Sequence, residues 1–110
     1  MAMTPGTIPF TQGLLTNPTI NTLVADTGAM AANGVNIKII VGASVASRFA
    51  IEWRNAANTA NLWSQIVANP ANQSISVDLP VGIPFAAGER LRIIMAAALT
   101  GVAQGSIIVY

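Results

Sequence analysis

The sequence contains no cysteine and no histidine. The first absence excludes a disulfide framework and thiolate metal sites. The second removes the commonest general base and the commonest metal ligand. Charge is scarce: five Lys or Arg and four Asp or Glu make up 8% of 110 residues, against roughly 25% in typical soluble domains. A net charge of +1 gives no strong pull toward nucleic acid or an anionic membrane, so neither is expected as a partner. Glycine-rich phosphate loops and clusters of metal ligands are missing, and no cofactor is expected. The longest uncharged apolar stretch, Ile93 to Tyr110, is interrupted by Thr100, Gly101, Gln104, Gly105 and Ser106 and fails as a spanning helix. The N-terminus lacks a basic region, its first charge being Asp26, which argues against a signal peptide.

What is present is apolar: 53% of residues are hydrophobic. A chain of this length forms one domain and buries a core without staples. So few charges protect a small monomer poorly against association. With membrane insertion set aside, the expectation is that neighbours cover the surface, in a homo-oligomer or a lattice.

The clearest pattern is Ser47 to Val67. Phe49, Ile51 and Trp53 alternate with Arg48, Glu52 and Arg54, the period of two that marks a half-buried strand. Asn55 to Asn61 is small and polar, suited to a bend, and Leu62 to Val67 is apolar again. This predicts a hairpin carrying both tryptophans. Further strands are expected over Thr19 to Val24, over Val35 to Val41 with Val35, Ile37, Ile39 and Val41 on one face, and over Gln73 to Leu79 with Ile75, Val77 and Leu79 inward. Leu91 to Met95, with Leu91, Ile93 and Met95 inward, and Ser106 to Tyr110 complete the set. Asn33-Gly34 reads as a turn, Ala29 to Ala32 permits one helical turn, and Val81 to Phe85 reads as an irregular connection. About seven short strands near ten-residue spacing, without a helical period, predict an all-β antiparallel sandwich or barrel.

Residues 1–17 read as an extended N-terminal arm before a single domain at 18–110. Pro5, Gly6, Pro9 and Gly13 break regular structure there, yet Ile8, Phe10, Leu14 and Leu15 give it more apolar content than a disordered tail. These four are the candidate partner-binding residues if the arm docks on a neighbour. The other reading is an edge strand on its own domain.

Asp26-Thr27-Gly28 resembles the Asp-Thr-Gly loop of retroviral-type aspartic proteases, in which two aspartates share a proton. The supporting apolar-apolar-Gly segment of that family has no counterpart at Leu91 to Met95, and an ordinary Asp-x-Gly turn is the expectation. Glu52 and Asp78 lie on outward faces and read as solvated or ion-paired, Glu52 with Arg54. Arg90 and Arg92 are too isolated for a nucleic-acid site. Trp63 is read as a core or interface residue over a sugar platform. Asn72-Gln73-Ser74 fits a glycosylation sequon.

From Phe49 to Tyr110 the chain resembles small structural proteins of tailed bacteriophages. The matching pieces are Ile51-Glu52-Trp53-Arg54-Asn55-Ala56-Ala57-Asn58, the Pro70-Ala71-Asn72 loop, Ala87-Gly88-Glu89-Arg90-Leu91-Arg92-Ile93 and the apolar C-terminal strand. The resemblance, to capsid decoration (cement) proteins and fibre-head domains, implies a jelly-roll-like β-sandwich, often a homotrimer, with no catalytic residues. It implies a place on the capsid surface of a virion, with the major capsid protein and other copies of itself as partners. The alternative it implies is a receptor- or glycan-binding head domain of a phage fibre.

Overall fold

Alternation of large apolar and polar side chains makes Ser47–Arg54 a strand, and it is the spine of one sheet. The computed structural model describes residues 9–11, 14–30, 33–35, 37–78 and 83–109. Its strands are β1 (Pro9–Thr11), β2 (Leu15–Thr16), β3 (Leu23–Asp26), β4 (Asn33–Val35), β5 (Ile37–Ala43), β6 (Ser47–Arg54), β7 (Asn61–Asn69), β8 (Gln73–Asp78), β9 (Ile83–Phe85), β10 (Arg90–Met95) and β11 (Val102–Val109). The described residues contain no helix, and so none long and apolar enough to cross a membrane.

Sheet A has the order β1-β11-β5-β8, with β2 also on β11; sheet B has the order β3-β10-β6-β7; β4 and β9 form a separate ribbon. Every pairing is antiparallel. Apart from β2, β4 and β9, the strands nest: β6 pairs β7, β5 pairs β8, β3 pairs β10, and β1 pairs β11. The chain is thus one long hairpin rolled up, with successive nested pairs falling in alternate sheets. That is the jelly-roll topology, an all-β sandwich of two four-stranded sheets.

Inward positions fill the space between the sheets. Ile37, Ile39 and Val41 of β5, Phe49 and Ile51 of β6, Leu91, Ile93 and Met95 of β10, and Ile107 of β11 are fully buried, with Val24 of β3. Gly105 holds the sheets close: a Cβ there would stand 2.7 Å from Val24 Cγ1 and 3.3 Å from Val41 Cγ1. The turns use asparagine. Asn17, Asn21, Asn58 and Asn72 take left-handed φ of 47°, 68°, 57° and 56°, which Asn adopts more readily than most residues.

The hairpin, Ile37 to Val41, Ile75 with Val77, and the three inward residues of Leu91 to Met95 fall where alternation places them. Other segments differ. The strand expected from Thr19 starts at Leu23, because Asn21 turns the chain and its N–H donates to Met95 O at 2.8 Å. Asn33-Gly34, expected as a turn, lies in β4 and pairs with Phe85 and Pro84. Met30 is buried and pinned by backbone bonds to Glu89 and Gly88 rather than helical. The last strand begins at Val102 rather than Ser106.

The described strands of the arm, residues 9–11 and 15–16, pair with the chain's own β11. Pro9–Thr11 pairs with Ser106–Ile108, and Leu15 and Thr16 pair with Ala103 and Val102. Asn17 fastens the end of this segment: its N–H donates to Gly101 O at 2.7 Å, and Gly101 N–H donates back to Asn17 Oδ1 at 2.8 Å. For residues 9–11 and 15–16 these pairings are those of an edge strand.

Candidate functional site

The outward face of sheet B carries most of the charge, and strand register assembles it. Asp26, Arg92, Glu52 and Ser64 lie in one row across β3, β10, β6 and β7; Arg90, Arg54 and Asn61 lie in the next. Arg92 Nε donates to Glu52 Oε1 at 2.6 Å, and Asn61 Nδ2 donates to Glu52 Oε2 at 2.9 Å. Arg90 Nη1 reaches Asp26 Oδ2 at 3.2 Å. Arg54 braces the β6–β7 loop, donating to Asn58 Oδ1, Asn58 O and Asn61 Oδ1 at 2.8–2.9 Å. Glu89 Oε1 accepts from Trp53 Nε1 at 3.1 Å and from Ala86 N–H at 2.7 Å.

Glu52 therefore differs from its expected setting. It is 8% exposed, and its partners are Arg92 and Asn61 in place of Arg54. Burial pushes its carboxyl pKa up, but the hydrogen bonds from Asn61 and Arg92 and the charges of Arg92 and Arg54 outweigh that, holding it below the ordinary value. Arg92 is 40 residues from Glu52, so only the β6–β10 register makes the pair, and no local signal announces it.

Asp26 is likewise engaged. Its Oδ1 accepts from Gly28 N–H at 2.8 Å, its Oδ2 faces Arg90, and Gly28 has φ of 70°, the geometry of an Asx turn. Buried Thr27 stitches this turn to β10, its Oγ1 accepting from Leu91 N–H at 3.1 Å and donating to Gly28 O at 2.8 Å. Trp53 and Trp63 are directly opposed across β6 and β7 and pack half-buried against the core. Among the described residues, no group of three or more carboxylates could hold a metal ion.

Sheet A presents different chemistry. Its outward rows include Ile108, Lys38 and Asp78 at one end, then the uncharged Ser106, Ile40 and Ser76, and Gln104, Gly42 and Ser74. A shallow depression of about 420 Å³ lies over Gly42, with Leu14 on its rim and no charged residue in its lining. The adjoining end of the sandwich is made of residues 17–22, 44–46, 70–72 and 96–101, tied together by Leu99 N–H to Pro18 O, Ser44 N–H to Val102 O and Asn72 N–H to Ala43 O. None of those residues is charged, and Ile20 and Val45 are exposed there. A second depression of about 450 Å³ opens at this end between Ala46, Ala68, Pro70 and Ala98, with Arg48 at its edge. Ser47 Oγ and Asn69 Oδ1 are buried beside it without a protein partner, a pair of groups that one buried water suits.

Of the four candidate partner-binding residues, Leu14 and Leu15 have described side chains. Leu14 is 62% exposed. Leu15 is half-buried and packs against the chain's own core. The backbone of Phe10 pairs with Ile107, and Ile8 lies outside the described residues. The uncharged loop end, with Ile20 and Val45, is not legible in the sequence, because strand order decides which loops share an end and the β6–β7 loop, residues 55–60, is equally free of charge.

No protein-family model matches this chain, and a search of curated proteins finds no match.

Proposed function

We propose that this chain is a structural virion protein, a non-enzymatic capsid decoration (cement) protein. In this reading it binds the outside of a tailed-phage head as a homo-oligomer and stabilises contacts between major capsid subunits. The observation that carries the reading is a jelly-roll sandwich whose loop end, with the adjoining sheet A rows around Gly42, carries no charge. A neutral surface of exposed Ile20, Val45 and Leu14 with small Ala, Ser and Gly around them suits close contact with another protein more than long solitary exposure. Such a protein acts by mass action: many identical sites, each burying modest apolar area, favour the intact shell over its dissociated subunits.

The test is co-sedimentation of the purified protein with heads of the phage that encodes it. Binding that Ile20→Asp with Val45→Asp abolishes, in a chain that still folds, supports the reading. No binding to heads overturns it. The fibre-head alternative calls for exposed aromatic side chains in a pocket. Neither depression is lined by an aromatic residue, and the two tryptophans face each other inside the sandwich.

A further inference from the structure

A β-sandwich has open strand edges, and natural sheets protect theirs with prolines, charges, bulges or short strands. Three of the four edges here conform. In sheet A, one edge is β1, three residues beginning with Pro9, followed by the two residues of β2; the other, β8, ends in Asp78. In sheet B, β3 is four residues long, ends in Asp26 and meets β10 across a register shift. The fourth edge, β7, is nine residues long with neither proline nor charge. Its one irregularity is the register shift opposite Trp53 and Arg54, which makes Leu62 the extra residue and leaves Trp63 to Asn69 in regular pairing with β6. Among the described residues, β6 is the only strand paired with β7. Ser64, Gln65, Ile66 and Ala68 are exposed, Ile66 by 55%.

We propose that β7 pairs with β7 of a second copy, antiparallel about a two-fold axis at Ile66, so that two B sheets become one sheet of eight strands. The occupant is a second copy because the segment matches itself. About that axis Ile66 opposes Ile66, Ser64 opposes Ala68, Gln65 opposes Val67 and Trp63 opposes Asn69. The outward row is then small, apolar, small, with the half-exposed isoleucines buried against one another as a β-branched cross-strand pair. No charged residue lies between Arg54 and Asp78, so the approach of an identical chain sets no like charges opposite each other. The contact is isologous and uses up both β7 edges, so it closes at two copies and does not propagate into a fibre. This pairing does not rest on the virion reading.

The cysteine-free sequence makes the register directly testable. Directly opposed residues have Cβ atoms about 4.5–5.5 Å apart, close to the span a disulfide needs. On mild oxidation Ile66→Cys should give a covalent dimer, and Ser74→Cys, on the opposite sheet, should not. Light scattering should find the wild type dimeric and Ile66→Lys monomeric and folded, its dimerisation weakened on the order of tenfold or more. A wild type that stays monomeric at about 100 μM, well above the micromolar range of modest interfaces, overturns the proposal. So does an oligomer indifferent to Ile66→Lys, or cross-linking at Cys introduced at 74 equal to that at 66. If Ile66→Lys misfolds, the cross-linking comparison still decides the matter. Head binding by a protein that fails these tests would leave the capsid reading standing and remove this one.

Discussion

The two outward sheet faces share one core and treat charge in opposite ways. On sheet B, Asp26, Glu52, Arg54, Glu89, Arg90 and Arg92 are engaged in hydrogen bonds to one another, to the β6–β7 loop or to Trp53. On sheet A, the rows around Gly42 are serine, glutamine and isoleucine. Six of the nine charged residues are thus committed to bracing one face. Of the other three, Arg48 is also on β6 of sheet B, and Lys38 and Asp78 oppose each other across β5 and β8. The low overall charge therefore understates the contrast: the surface free to meet a partner is poorer in charge than the composition suggests. If the contrast is functional, damage to the braced cluster around Glu52 should cost stability and spare head binding, and substitutions of Ile20 and Val45 at the neutral loop end should do the reverse.

The largest effect should come from removing sheet A's own edge. A chain beginning at Asn17 loses β1 and β2 and leaves one side of β11 unpaired. It should be destabilised by on the order of 3–5 kcal/mol through lost apolar burial and lost ladder bonds. Chemical denaturation measures this. A truncated chain as stable as the full one would show that the arm is dispensable to the fold.

On the braced face, Glu52→Ala strands Arg92 and Asn61 and should cost about 2–3 kcal/mol, between a lost charged hydrogen bond and a broken buried pair. The same face should respond to acid. The Glu52 carboxyl has its pKa lowered by folding, so its contribution is complete above the unfolded value of about 4.3 and disappears as pH falls through the lower folded value. Between those two values the melting temperature should therefore fall more steeply with falling pH for the wild type than for Glu52→Gln. Parallel curves would mean that the carboxylate is not braced as its contacts imply. The smallest effect belongs to the neutral face: Ser74→Ala should stay within about 0.5 kcal/mol, and a larger loss would erase the distinction between the faces.

How far the sequence reveals this arrangement depends on the range of the interaction. Phe49, Ile51, Leu91, Ile93 and Met95 were legible because inward orientation is written in a local period of two. Glu52 was misjudged because its partners are decided by register: Arg92 arrives from a strand 40 residues away. The setting of Leu15 is likewise decided by register, since it pairs with Ala103 of β11. Asn33-Gly34 has the composition of a hairpin turn, yet pairing with β9 holds it extended. The sandwich class follows from strand spacing. The order of the strands does not, because several antiparallel windings satisfy the same alternation.

The position of β11 has a kinetic consequence. It lies between β1 and β5, pairing Ile108 with Pro9 and Ile107 with Ile39, yet it is the last of the described strands to leave the ribosome. Until it emerges, sheet A cannot join β1 to β5, and the inward faces of β5 and β6 have no complete cover. The local hairpin of β6 and β7 can form during synthesis, but final closure must wait for contacts spanning almost the whole chain. Folding should accordingly be slow, on the millisecond-to-second scale of proteins dominated by non-local strand pairing. The nascent chain spends that interval with its stickiest surfaces uncovered, and dilution or a chaperone should raise its yield more than any stabilising change to the finished sandwich.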